Sequence, residues 1–192
     1  MSEVGTALTL LAGGLAMKMI YDSKFSDVEY VESKVDGRKY LVRKLDDKNE
    51  AADLLANIRL KLIRLCEDLE LKDIDNKDVY RLVKRFQPNN ITEGSSNEKY
   101  TSYSVNKGEK VVFCLRSRDK KKQLVKENTM MFVALHELAH IMTVSVGHTD
   151  EFWDNFRFLL KRAIALGLYV PEDYENKPVD YCGIKITNSP LN

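Results

Sequence analysis

All three histidines of this 192-residue chain lie within thirteen residues, at His136, His140 and His148. The first two belong to the pattern His-Glu-x-x-His, in which Glu137 directly follows the first histidine. On an α-helix, residues four apart share a face and lie about 6 Å apart along the axis, so both imidazoles can bind one tetrahedral ion. Glu137 then lies beside the ion without binding it and can take a proton from metal-bound water. The pattern predicts a zinc hydrolase with Glu137 as general base.

His148 is the predicted third ligand of a single Zn²⁺ ion, which leaves one coordination position open. It follows Gly147, which can adopt the left-handed conformation that reverses a chain after a helix. A downstream carboxylate, Glu172 or Glu175, is the alternative third ligand. Glu151 follows His148 too closely to replace it without strain.

The motif is predicted to lie on a buried helix. Residues 129–143 contain no Pro or Gly, and apolar side chains surround the two histidines on nearly every side. Asn128 and Thr129 are candidate N-caps. The helix is expected to end between Val144 and Gly147. Burying two histidines and a glutamate on such a helix costs free energy unless these polar groups have partners, and a bound metal would be such a partner.

The elements that must position this helix can be predicted from periodicity and turn residues. They are a hairpin at 28–35 and 38–45, helices at 48–69 and 78–86, a loop at 89–99, a second hairpin at 100–105 and 110–116, and a last strand within 180–187. Together they predict an α+β fold in which a small sheet lies over the motif helix.

The cysteines are far apart in the sequence and odd in number. Cys66, Cys114 and Cys182 form no Cys-x-x-Cys pair. We therefore expect no disulfide framework, with Cys66 and Cys114 as core thiols, and a reducing compartment for the domain.

Charge gives no reason to expect nucleic acid as a partner, because the formal net charge is +1. The basic run at 116–126 could contact DNA or anionic lipid. No aromatic residues interleave these charges, so a solvated loop is the preferred interpretation.

The N-terminus carries no charge from residue 4 to residue 17, and Met19 to Tyr21 extend this apolar segment beyond Lys18. Its Gly and Ala content is typical of a membrane helix. The alternative is an apolar helix that packs on the domain or on a partner. Lys18 and Lys24 follow the segment, which favours a single-pass membrane protein with its domain in the cytosol. The predicted organisation is a membrane anchor at 1–21, a linker at 22–27 and a metallopeptidase domain at 28–192.

The motif and its surroundings resemble the WLM (Wss1-like) metallopeptidases and, more distantly, the SprT-like proteases. The likeness spans about Tyr100 to Leu168. It rests on His136-Glu-Leu-Ala-His140, a short turn, and His148-Thr-Asp-Glu-Phe-Trp153 at the start of another helix. It implies a zincin-like domain in which the strand upstream of the motif helix pairs with an extended protein or peptide substrate. The overall layout is also similar to WLM-like proteins of large DNA viruses, which implies a virion-associated protein.

Several residues near the motif have more than one predicted role. Phe152, Trp153 and Phe156 are expected to dock the following helix and orient His148. Tyr181 could stabilise an oxyanion and Cys182 could cap the metal, although simple packing explains both.

The predicted function is membrane-anchored, zinc-dependent peptide hydrolysis. The main alternative is a catalytically silent zinc protein that acts as a membrane scaffold, which would have no need to keep Glu137. A DNA-associated repair protease is a third hypothesis, and the predicted anchor counts against it.

Overall fold

The computed structural model describes residues 8, 11–15, 17, 26–96 and 100–191. Within residues 26–96 and 100–191, four helices and seven short strands form an α+β fold, as the sequence predicts. In chain order they are β1 (Val28–Glu32), β2 (Lys39–Arg43), α1 (Lys48–Asp73), α2 (Lys77–Arg85), β3 (Ile91–Glu93), β4 (Tyr103–Val105), β5 (Lys110–Phe113), α3 (Glu127–Met142), α4 (Asp150–Ala165), β6 (Val179–Tyr181) and β7 (Ile184–Ile186).

Helix α1 forms the back of the core, and it continues four residues beyond the predicted end at 69. Its apolar side chains recur at helical spacing and are almost completely buried, among them Leu55, Ile58, Leu62, Leu65 and Leu69. The helix packs against α2, α3 and the β1–β2 hairpin. Because α3 touches both α1 and α4, the motif helix lies in the middle of the domain.

The predicted first hairpin is confirmed. Strands β1 and β2 pair antiparallel, with Val28 opposite Arg43 and Glu32 opposite Lys39. Gly37 has a φ of 68° in the connecting turn, which is the conformation that the Asp-Gly pair predicts.

The second sheet contains the predicted β4–β5 hairpin and one strand that the sequence did not reveal. Its order is β3-β5-β4, with β3 parallel and β4 antiparallel to β5. The prediction of a loop throughout 89–99 is therefore wrong at Ile91–Glu93. A three-residue strand is too short to show a period, and polar neighbours surround it.

The interpretation of 116–126 as a solvated loop is wrong at Arg116, which is buried. Its side chain is 2% exposed, and its Nε donates to the Glu93 carboxylate at 2.8 Å. Its Nη1 pairs with Asp47 at the start of α1. The solvated-loop interpretation holds for residues 118–123, which are exposed.

Cys114 and Cys182 form a disulfide, so the prediction of Cys114 as a core thiol without a disulfide is wrong, while Cys66 is free. The bond joins the end of β5 to the turn between β6 and β7. This C-terminal segment is a hairpin rather than the single predicted strand. The disulfide removes the cysteine-based support for a reducing compartment.

The predicted membrane anchor at 1–21 lies mostly outside the described residues. Leu8, residues 11–15 and Met17 are helical and exposed. Within the described ranges, no helix has both the length and the apolar character that a membrane span requires. The anchor and the linker at 22–27 stay predictions.

Candidate metal centre

Helix α3 carries the motif, and it begins and ends slightly earlier than predicted. Its N-cap is Lys126 without a side-chain hydrogen bond, so neither Asn128 nor Thr129 caps it. Instead, the Asn128 amide donates to the Val170 carbonyl at 2.9 Å and to Glu172 at 2.6 Å. These bonds attach the start of α3 to the loop that follows α4.

The three predicted imidazoles converge on one point. His136 Nε2 lies 3.1 Å from His140 Nε2 and 3.2 Å from His148 Nε2. Two nitrogens that bind one tetrahedral zinc ion at about 2.0–2.1 Å lie roughly 3.3 Å apart, so the spacing fits such an ion. A neutral imidazole has one N–H donor, whereas one cation can accept the lone pairs of all three rings. The donor set therefore suits zinc.

Burial keeps two of these imidazoles in the neutral form that binds metal. Burial, and secondarily the rings of His140 and His148, lower the pKa of His136 to about 3. Burial and the proximity of His148 lower the pKa of His140 to about 4. Because metal binding requires unprotonated imidazole, neither ring has to lose a proton at neutral pH.

The structure brings His148, and neither alternative carboxylate, to the site. Among the described residues, His136, His140 and His148 form the one group of potential metal ligands. Glu172 instead accepts a hydrogen bond from Asn128. Asn128 lies about two helical turns before His136 on α3, and this places it roughly 12 Å from His136 along the helix axis.

Glu151 organises the turn that carries His148. Its carboxylate accepts hydrogen bonds from the backbone N–H groups of Val144 at 2.9 Å and Ser145 at 3.2 Å. Gly147 has a φ of 89°, as the prediction of a glycine turn requires. The turn after α3 is therefore a fixed structure.

Lys107, in the β4–β5 turn, also binds this segment, and sequence reasoning missed this role. Its ammonium donates to the carbonyls of His140 at 3.2 Å, Thr143 at 3.0 Å and Ser145 at 3.2 Å. A cation at the end of a helix satisfies carbonyls that lack helical partners. The adjacent Gly108 has a φ of 115°, and a Cβ there would lie 2.8 Å from the Arg85 carbonyl oxygen. Gly108 is the one feature of the sequence from which the close packing of this turn could have been predicted.

Phe152 contacts all three imidazoles. Its ring centroid lies 4.9 Å from that of His136, 4.4 Å from His140 and 4.7 Å from His148, and the side chain is fully buried. Trp153 lies 5.6 Å from the His148 ring but is only partly buried. Phe152 is thus the central residue of the predicted aromatic cluster.

Glu137 is a buried carboxyl group that no Lys or Arg of the described chain pairs with. Burial raises its pKa to about 8, and the backbone N–H of Ser104 in β4 acts in the opposite direction. A divalent cation held by the histidines would also favour the carboxylate form. The cost of burying this group is consistent with a chemical role.

A cavity of about 700 Å³ contains the histidines and Glu137. β4, α3, α4 and the C-terminal hairpin supply its walls. Strand β4 is at the edge of its sheet, and β5 is its one partner among the described strands. Strand β4 contacts α3, so the small sheet lies against the motif helix, as the sequence predicts.

Tyr181 and Cys182 have structural partners. The Tyr181 hydroxyl donates to the Cys114 carbonyl at 2.9 Å and lies 2.6 Å from Ser102 Oγ. The hypothesis that Cys182 caps the metal is wrong, because its sulfur is bonded to Cys114.

Comparisons with known proteins agree with this geometry. The model of the WLM domain family matches residues 71–187. The chain belongs to the WLM family. This WLM chain is 37% identical over 166 residues to R325 of Acanthamoeba polyphaga mimivirus, with 84% of this chain and 83% of that protein covered. It is 39% identical over 89 residues to protein 042R of Invertebrate iridescent virus 3, covering 45% of this chain and 52% of that protein.

A crystal structure of a Wss1 mutant from Saccharomyces cerevisiae shares the fold. The TM-score is 0.50 at 21% identity, with 67% of this chain and 91% of that chain covered. The resemblance to WLM proteins of large DNA viruses is confirmed, and the family match begins well before the predicted Tyr100.

Proposed function

We propose that this chain is a zinc-dependent metallopeptidase. The observation that carries the proposal is the convergence of three imidazole Nε2 atoms next to Glu137, a buried carboxyl group in the same cavity. Membership of the WLM family supports the same function.

Zinc bound by the three histidines would supply a Lewis acid that polarises a scissile carbonyl and lowers the pKa of a water molecule. Glu137 follows a ligand on the same helix, so its carboxylate can accept a proton from that water. The resulting carboxylic acid can later donate the proton to the leaving amine. The Ser104 backbone N–H keeps this side chain directed towards β4.

The edge of β4 supplies a binding surface for the main chain of a protein substrate. An edge strand offers backbone donors and acceptors, which an extended peptide can pair with in any sequence. In β4 the N–H of Ser104 is already bonded to Glu137, so the other backbone groups of the edge serve this role. Tyr103 and Ser104 line the cavity next to Glu137. A peptide paired with β4 would therefore run past the histidines.

Glu137→Gln tests the function, with Glu175→Gln as a matched control because Glu175 is exposed. We expect Glu137→Gln to keep its zinc and to lose at least about 100-fold in peptide hydrolysis, the scale of a positioned proton-transfer group. Glu175→Gln should retain full activity. If the zinc-loaded wild-type protein hydrolyses no protein or peptide, the silent zinc scaffold is the better interpretation. If Glu137→Gln is as active as wild type, Glu137 is not the base.

A further inference from the structure

We propose that the C-terminal β6–β7 hairpin forms a subsite that selects substrates with a bulky apolar side chain beside the scissile bond. This inference rests on the proposed peptidase function and names its substrate class.

One face of β7 lines the cavity. Ile184 and Ile186 both face it, whereas Lys185 between them does not, as expected for alternating residues of a strand. Ile184 is 52% exposed, although it is a large apolar residue. Isoleucine side chains that line an open cavity leave apolar surface that a ligand can cover.

Other residues that line the cavity are also apolar. Phe132 and Val133 lie one turn before His136 on α3, and Trp153 and Phe156 come from α4. These apolar side chains and the three histidines line the same cavity. It is suited to a large aliphatic or aromatic side chain.

Away from the metal position, the cavity offers no free charge to an ionised side chain. Apart from the histidines, its charged lining residues are Lys107 and Glu137. Lys107 is already bonded to three carbonyls, and Glu137 is assigned to proton transfer. A charged substrate side chain that lies in this subsite and does not reach the metal would lose water without gaining a partner, which is unfavourable.

The hairpin is held rigidly against the rest of the domain. The Cys114–Cys182 disulfide and the Tyr181 hydrogen bond to the Cys114 carbonyl attach it to the end of β5. Beyond β7, Arg157 Nε of α4 donates to the Pro190 carbonyl at 2.7 Å. A wall fixed on both sides does not have to be ordered by the substrate, so its apolar surface can discriminate between side chains.

Trp153 provides a direct readout of this subsite, because it is the single tryptophan of the chain and lines the cavity. The zinc-loaded Glu137→Gln protein is titrated with blocked alanine hexapeptides that carry Phe, Leu, Asp or Lys at the fourth position. Tryptophan fluorescence then measures binding without turnover. We expect Phe and Leu peptides to bind at least about 10-fold more tightly than Asp and Lys peptides, the scale of discrimination in an apolar pocket.

Ile184→Asp and its neighbour control Lys185→Asp, each in the Glu137→Gln background, locate the subsite. Ile184→Asp should abolish the preference for Phe and Leu, and Lys185→Asp should keep it. Ile184→Ala, which adds no charge, should reduce the preference.

Equal affinity for all four peptides, or an unchanged preference in Ile184→Asp, would overturn the proposal, as would failure of every peptide to change the fluorescence. Hydrolysis by the wild-type protein is measured separately with the same peptides. Hydrolysis without side-chain preference contradicts the subsite alone, whereas selective binding without hydrolysis contradicts the peptidase function alone.

Discussion

His148 is positioned by residues that lie outside the His-Glu-x-x-His motif. Phe152 packs on its ring, Glu151 fixes the turn that precedes it, and Lys107 binds carbonyls on both sides of the end of α3. The geometry of the third ligand thus depends on three side chains that do not bind metal themselves. Such supporting contacts decide ligand orientation and metal affinity.

Phe152→Ala should weaken zinc affinity and stability together. Loss of a buried phenylalanine destabilises a domain by about 3–5 kcal/mol, and here the cavity would lie against all three imidazoles. Zinc competition with a chromogenic chelator and urea unfolding measure the two effects. Phe158→Ala, on the same helix, is the control that should lower stability without lowering zinc affinity. Unchanged zinc affinity in Phe152→Ala would show that the ring does not position the ligands.

Lys107→Met should destabilise the domain by roughly 2 kcal/mol, the scale of hydrogen bonds from a charged donor. It leaves the carbonyls of His140, Thr143 and Ser145 without this partner, so zinc affinity should fall as well. Urea unfolding and chelator competition are the measurements. Lys120→Met, on an exposed loop, should change neither quantity. A wild-type zinc affinity in Lys107→Met would limit the role of Lys107 to the turn itself.

At the scale of elements, periodic segments could be predicted and contact-dependent ones could not. Helix α1 and the first hairpin follow from local spacing and an Asp-Gly turn. Strand β3 pairs with β5, and its Glu93 is buried against Arg116, so both contacts join residues that are distant in sequence. The site followed the same division. His136, Glu137 and His140 were visible in one motif and His148 shortly after it, whereas the contribution of Lys107 required the β4–β5 turn to reach α3.

The disulfide was invisible to sequence reasoning because its partners are 68 residues apart. Closing a loop of that length stabilises a domain by about 4 kcal/mol in the chain-entropy model. Cys114→Ser with Cys182→Ser should therefore lower the unfolding free energy by about that amount, and a dithiol reductant should do the same to the wild type. Denaturant unfolding with and without reductant tests this. The double variant serves as the control, because reductant should not change its unfolding free energy. If reductant lowered the unfolding free energy of the wild type and of the double variant equally, the Cys114–Cys182 disulfide would be contradicted.

At the scale of the whole molecule, one core joins the sheets to α1, α3 and α4. Residues 1–21 are predicted to attach this domain to a membrane. We expect the intact chain to remain with membranes after alkaline extraction, and residues 22–192 to be soluble, folded and able to bind zinc. Fractionation of both forms, with zinc content and circular dichroism of the shorter one, tests the boundary. An intact chain in the aqueous fraction, or an unfolded truncated chain, would mean that the segment is part of the domain.

X-ray absorption at the zinc edge of the loaded protein tests the three-histidine site most directly. The expected spectrum has one zinc per chain, three imidazole nitrogens and one light ligand at about 2.0–2.1 Å. His148→Ala should lose one imidazole from that shell. A sulfur ligand at about 2.3 Å, or a wild-type spectrum that His148→Ala leaves unchanged, would contradict the assignment of His136, His140 and His148 as the metal ligands.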